Sequence, residues 1–189
     1  MQPFVYQALS QRIVFGSGTL ARVGEELDRL AVKRALVLST AGHAMAAERL
    51  AAALGQRAAG VFAGAVMHTP VEVTDEALAA VGTARADALV VLGGGSTIGL
   101  GKAIALRTDL PQIAIPTTYA GSEATPVLGE TANGRKTTQR SPKILPEVVL
   151  YDVDLTLTLP VGVSVTSGMN AIAHAIEARY AEHRNPLIS

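Results

Sequence analysis

The sequence predicts an α/β fold, a parallel sheet covered by helices on both faces, followed by the first helix of an all-helical domain. Three observations predict it. Short β-rich runs alternate with longer, alanine-rich runs at helical spacing. The strand-like runs are continuously apolar rather than alternating, as required when both faces of a sheet are buried. After Leu159-Pro160 the alternation stops and the chain reads as helical.

The elements follow in order. Phe4–Gln7 and Arg12–Phe15 read as a strand pair. Gly16-Ser17-Gly18 opens a helix with Leu20, Val23, Leu27 and Leu30 on one face. Ala35–Ser39 is a buried strand, and Met45–Leu54 a helix closed by Gly55. Ala58–Phe62 is a weaker strand. A helix over Val73–Ala84 is entered through Glu72 or Thr74. Ala88–Leu92 is the most strand-like run, Ser96–Leu106 the next helix, and Gln112–Ile115 the next strand. Thr125–Thr138 reads as an irregular excursion with a hairpin turn at Asn133-Gly134. Val148–Tyr151 returns as a strand. From about Ser164 a helix places Val165, Met169, Ile172, Ile176 and Tyr180 on one face. Asn185-Pro186 resembles a further helix entry. The expected division is therefore an α/β domain over 1–158 and the start of a helical domain over 159–189, the rest of which is absent.

Composition excludes several functions. Half the residues are apolar (49%) and only 17% are charged, which argues for a packed core and against disorder. Sixteen basic residues balance sixteen acidic ones without a basic run, and aromatics are 4%, so nothing favours nucleic acid or an anionic membrane. No apolar run spans a bilayer, and the N-terminus lacks a signal-peptide pattern. The absence of cysteine removes disulfides, thiolate metal sites and a cysteine nucleophile, and fits a cytoplasmic location.

Two stretches carry chemistry. Val90-Val91-Leu92 runs into Gly93-Gly94-Gly95-Ser96 and then a helix. Glycines let a phosphate approach the backbone, and a helix N-terminus attracts it. The other reading is a tight strand-to-helix turn with no ligand. Gly101-Lys102 is not a Walker loop, because the earlier glycine is missing and Ala103 follows. The second stretch, Pro116-Thr117-Thr118-Tyr119-Ala120-Gly121-Ser122-Glu123, leaves the next strand and should lie beside the first. Its threonine hydroxyls could donate to phosphate or ribose oxygens. Read alone it is a loop capped by threonines.

Joined to Ser167-Gly168-Met169-Asn170-Ala171-Ile172-Ala173-His174-Ala175-Ile176-Glu177, these stretches make the sequence resemble the iron-containing alcohol dehydrogenase superfamily, over about the first half of such a protein. Within it the likeness is to the branch of maleylacetate reductases. The resemblance implies a Rossmann-like cofactor domain and a helical domain, with NADH or NADPH and a small dicarboxylate in the cleft between them. It implies a homodimer as one possible assembly. Gly93, Gly94, Gly95 and Ser96 would hold the cofactor diphosphate, with Thr117, Thr118 and Ser39 near it, and Lys143 where related proteins place a cofactor lysine. Many relatives carry an aspartate where this chain reads Leu38-Ser39-Thr40-Ala41, so both cofactors should be accepted.

Metal-dependent relatives pair an aspartate with a histidine four residues on. Here the pair is Asn170 and His174, and an amide is a poorer ligand than a carboxylate, so no metal site is expected. Tyr119 and His174 are the candidate catalytic groups, and Arg135 or Lys136 could meet substrate carboxylates. His174 also reads as an ordinary helix histidine. Glu123 and Glu177 read first as a helix cap and a solvated face and second as buried partners in the cleft, and His43, His68 and His183 have no assigned role. The implied reaction is hydride transfer to an activated double bond, converting maleylacetate to 3-oxoadipate in the degradation of aromatic compounds. A metal-dependent alcohol dehydrogenase, a dehydroquinate-synthase-like lyase and a nucleotide-binding module without turnover remain alternatives.

Overall fold

A computed structural model describes residues 5–181. The chain runs through β1 (Arg12–Phe15), α1 (Val23–Arg29), β2 (Ala35–Leu38), α2 (Ala44–Leu54), β3 (Ala58–Phe62), α3 (Val71–Ala84) and β4 (Ala88–Gly93). It continues through α4 (Gly95–Thr108), β5 (Gln112–Pro116), β6 (Val127–Ala132), β7 (Arg135–Arg140), β8 (Val148–Tyr151) and α5 (Val161–Ala178). Six strands form one sheet in the order β1-β8-β5-β4-β2-β3, and every pairing in it is parallel.

The apolar runs explain the layers. Successive strand residues point to opposite faces. Ala35, Val37, Ala88, Val90 and Leu92 pack with Val23 and Leu27 of α1 and Ala47, Leu50 and Leu54 of α2. Leu36, Leu38, Leu89 and Val91 face the other way, onto Ala77 and Val81 of α3 and Ile98, Leu100 and Ile104 of α4. Each fully buried valine, leucine or isoleucine among them stabilises the fold by about 1.5–3 kcal/mol before entropy is counted, and each alanine by less.

This topology creates a crevice. After β2 the chain moves outward to β3 by way of α2, on one face. After β4 it moves the other way to β5 by way of α4, on the opposite face. The connections therefore leave the paired strands β2 and β4 toward opposite faces at their carboxyl ends, where open α/β sheets take ligands.

Several expectations need correction. Residues 5–7 form no strand, and β1 pairs with β8, more than a hundred residues away in sequence, rather than with a near neighbour. The helix expected after Gly18 begins as a 3-10 turn over Thr19–Arg22. Helix α3 starts at Val71, because Pro70, its cap, is still extended at φ −60° and ψ 143°. Helix α5 starts at Val161, directly after Pro160. The segment expected to be irregular is a regular antiparallel hairpin, paired from Val127↔Arg140 to Ala132↔Arg135. Its turn is at Asn133-Gly134, where both residues have positive φ, as a two-residue hairpin turn requires. The hairpin lies over α4: Leu128 packs with Ala103 and Ile144, and buried Glu130 pairs with Arg107 at 2.9 Å and accepts from Thr74 at 3.2 Å. The apolar stripe of α5 is exposed at Val165, Met169, Ile172, Ile176 and Tyr180. No described helix is long and apolar enough to cross a membrane. Asn185–Ser189 and His183 lie outside the described residues.

Strand β1 is tied to α1 by a carboxylate. Glu26 is buried, and its oxygens accept from Arg12 Nε at 2.7 Å and Nη2 at 3.1 Å. The Arg12 hydrogen bonds hold Glu26 below the ordinary carboxylate range, against the opposing effect of burial. Its contribution is thus complete above that range and fades as pH falls through the lowered value. Glu26→Gln should lower the urea midpoint at neutral pH, and the gap to the parent should narrow on acidification to about pH 3. Unfolding curves at the two pH values check this.

Candidate cofactor site

The glycine turn sits at the carboxyl end of β4. Gly93 has φ +154°, outside the range comfortable for side chains, and a Cβ there would lie 2.3 Å from Thr97 Oγ1. Gly94 caps α4 with no side-chain hydrogen bond, and the first turn of the helix carries no acid. The helix thus presents bare amides and the positive end of its dipole at the crevice.

The second loop is fastened to the first. Gly93 aligns with Pro116 across β4 and β5, and Thr117 N–H donates to the Gly93 carbonyl at 3.1 Å. A Cβ on Gly94 would meet Thr118 Cγ2 at 2.9 Å, and one on Gly95 would lie 3.8 Å from Ala120. The two loops are therefore in van der Waals contact, with Tyr119 exposed between those contacts. Three buried hydroxyls line this end of the sheet without a hydrogen-bond partner: Ser39 after β2, Thr97 in α4 and Thr117 after β5. A polyanionic nucleotide fits this combination of absent Cβ atoms, free helix amides and unpaired hydroxyls.

Beside the turn a cleft of about 360 Å³ is lined by His68, Thr69, Ser96, Gly99, Ser122 and Lys136, among others. His68 and Thr69 both have positive φ, at 67° and 46°. Two consecutive non-glycine residues in that region mark a strained segment, of the kind that accumulates at functional sites. The lysine that reaches the cleft is Lys136. Lys143, expected near the cofactor, is instead 3.3 Å from Asp109, just past the C-terminus of α4. That end of the helix lies about 20 Å from the glycine turn at ~1.5 Å per residue. The register of the hairpin, which sequence reading left irregular, decides between the two lysines.

Two further groups stand differently from their first reading. Lys102, weighed only as a failed Walker lysine, is fully buried in α4 and bonds the carbonyls of Ser122, Thr125 and Val127. Burial pushes it down to about 8, with the Glu123 carboxylate pulling the other way. A lone lysine in the small, apolar run Ile98–Ala105 was the available signal. Glu123 is no exposed cap. It is buried, its Oε1 accepts from Tyr151 Oη at 3.1 Å, and its Oε2 has no hydrogen-bond partner. Burial and this carboxylate push the Tyr151 phenol up.

The structure does not bring His174 to this cluster. On α5 its ring is exposed and lies 3.2 Å from exposed Glu177. Asn170 sits one turn earlier, also exposed. Among the described residues no group of three or more histidine, aspartate or glutamate side chains could hold a metal ion. Asn170 and His174 offer an amide oxygen and one imidazole, a weaker pair for a divalent ion than a carboxylate and an imidazole.

Comparison with known proteins agrees with this geometry. Residues 10–153 match the family model described as iron-containing alcohol dehydrogenase. The chain is 66% identical over all its 189 residues to a maleylacetate reductase of a Rhizobium species, covering 54% of that protein. It superposes on the crystal structure of maleylacetate reductase from Agrobacterium tumefaciens with a TM-score of 0.98 and 65% identity, covering 99% of this chain and 53% of that one. A sulfoacetaldehyde reductase from Bifidobacterium kashiwanohense, solved in complex with NAD+, matches with a TM-score of 0.91 and 25% identity, over 98% of this chain and 56% of that one. The chain thus spans about half the length of these relatives. On the match over residues 10–153, this chain belongs to the iron-containing alcohol dehydrogenase family.

Proposed function

We propose that this chain forms the cofactor-binding half of an NAD(P)H-dependent reductase that converts maleylacetate to 3-oxoadipate. The observation that carries the reading is the 66% identity to a maleylacetate reductase, spread over the whole chain. The joined loops at the β2–β4 crevice are its physical counterpart. Residues 159–189 are proposed to open the helical domain, whose further helices would cover the apolar stripe of α5.

Amides of Gly94, Gly95 and Ser96 hold the diphosphate at the start of α4. Thr117 and Thr118 fix its flank. Ser39 and Thr40 lie at the end of β2, where the adenosine ribose is placed in folds of this kind. Lys136, in the cleft beside Ser96, supplies a cation for the nicotinamide side or for a substrate carboxylate. The cofactor supplies hydride to one carbon of the activated double bond. The neighbouring carbon must take a proton, and Tyr119 at the crevice is the first proposed donor; His174, apart from it on exposed α5, is the second, and would reach the substrate from the helical side of the cleft. The reaction consumes one NAD(P)H and one proton.

Three outcomes test this reading. Gly93→Ala should weaken NADH binding by about tenfold or more, because its Cβ enters the space of Thr97 at a φ that alanine avoids. Fluorescence titration reads it, and unchanged affinity would remove the turn from the site. NADH and NADPH should bind with comparable affinity, since Ser39-Thr40-Ala41 carries no acid. Thr40→Asp should then weaken NADPH about tenfold or more and leave NADH nearly unchanged. A parent preference for NADH of about a hundredfold would sink the argument. Finally, the 189-residue chain should bind NADH without turning over maleylacetate. The full-length protein should turn it over, and should still do so after treatment with a chelator. Turnover by the chain alone would show that no essential group lies outside it.

A further inference from the structure

Lys102 is placed where a charge is costly. It lies seven residues into α4, about 10 Å from the first residue at ~1.5 Å per residue, in a stretch buried from Thr97 to Ala105. Its neighbours there are leucine, isoleucine, alanine and glycine. An uncharged chain of the same length would fill that space without desolvating an ammonium. What the ammonium adds is donors. Its Nζ bonds the carbonyls of Ser122, Thr125 (2.7 Å) and Val127 (2.9 Å), and lies 3.3 Å from the hydroxyls of Ser122 and Thr125. Three N–H groups thus meet three carbonyls from one short stretch of loop.

That stretch follows directly on the Thr117–Gly121 loop. The loop's near end is fixed by β5 and by the Thr117–Gly93 hydrogen bond. Its far end is held by Lys102 from below, beside the Gln11 amide on the Glu123 carbonyl (2.8 Å), the Tyr151 hydroxyl on the Glu123 carboxylate (3.1 Å) and the Ser141 N–H on the Pro126 carbonyl (3.1 Å), and Lys102 alone joins three of its carbonyls to α4. The helix that carries Lys102 also begins at the glycine turn. One rigid element therefore sets both walls of the crevice, and the Lys102 contact fixes their separation.

We propose that Lys102 is a positioning residue whose buried ammonium ties the Ser122–Val127 segment to α4 and so holds the Thr117–Gly121 loop against the glycine turn in the geometry the nucleotide requires. Its consequence for binding rests on the cofactor reading above, whereas the tie itself is a property of the chain alone. Release of the tie loosens the segment from α4 while the Gln11, Tyr151 and Ser141 contacts and the strands of the parallel sheet stay in place, because none of them hydrogen-bonds to Lys102.

Hydrogen exchange of the cofactor-free chain, together with NADH titration, tests this on the parent, Lys102→Met and Lys102→Arg. Methionine keeps the apolar stem and removes the donors, and arginine restores donors and charge. In the methionine variant, amides over 117–127 should exchange about tenfold faster or more, while those of β4 and the first turn of α4 stay as in the parent. The NADH dissociation constant should rise about tenfold or more, and arginine should recover a large part of both effects. The proposal is overturned if exchange over 117–127 is unchanged, if it rises equally throughout the sheet, or if NADH affinity stays within about twofold. If the methionine variant does not fold, the arginine variant decides: parent-like exchange and affinity support the tie, and an unprotected loop in a folded protein overturns it. Failure of the parent itself to bind NADH would refute the cofactor reading, and the exchange pattern would still decide whether Lys102 holds the loop.

Discussion

The arrangement depends on a shared ending. Strands β4 and β5 are parallel and in register, and both run out at the same level, Gly93 opposite Pro116. The Thr117–Gly93 hydrogen bond carries the pairing one residue beyond the strands. Because of it, two loops from separate parts of the sequence begin as neighbours. The joined loops, the Thr97 and Thr117 hydroxyls and the exposed start of α4 all follow from where these two strands stop.

The rest of the fold supports that edge. The opposite departures of α2 and α4 open the crevice, and the apolar packing on both faces keeps the strands from shifting register. The hairpin β6–β7 then covers α4, so that this helix is enclosed along most of its length while its first turn remains accessible. A helix with a buried body and an open N-terminus is a rigid mount for an anion site. Its orientation is set by the core and not by the ligand.

The sheet was legible in the sequence because continuous apolar runs such as Ala88–Leu92 have few other uses in a chain of this size. The glycine turn was legible because its function is in the backbone. What could not be read depends on distant partners. Nothing near Arg12–Phe15 announces pairing with Val148–Tyr151. Strand β7 is polar and exposed throughout, so periodicity gives no signal, and only Asn133-Gly134 marks the hairpin. Without its register, Lys143 and Lys136 could not be told apart as cleft residues. Lys102 was passed over, and the buried reading of Glu123 was ranked second, for a related reason. Charged residues are usually at the surface, and the carbonyls and the phenol that accompany these two come from segments about twenty to thirty residues away.

The contact between Gly94 and Thr118 has a consequence for how such sequences can change. The space beside Gly94 is already occupied by a threonine methyl, with 2.9 Å left for any added Cβ. A larger residue at 94 is compatible with a smaller one at 118, and not with threonine. The two positions are therefore not free to drift separately. In a lineage that keeps both loops, substitutions at 94 should be found together with serine, alanine or glycine at 118, as a steric covariation across two loops that are far apart in sequence.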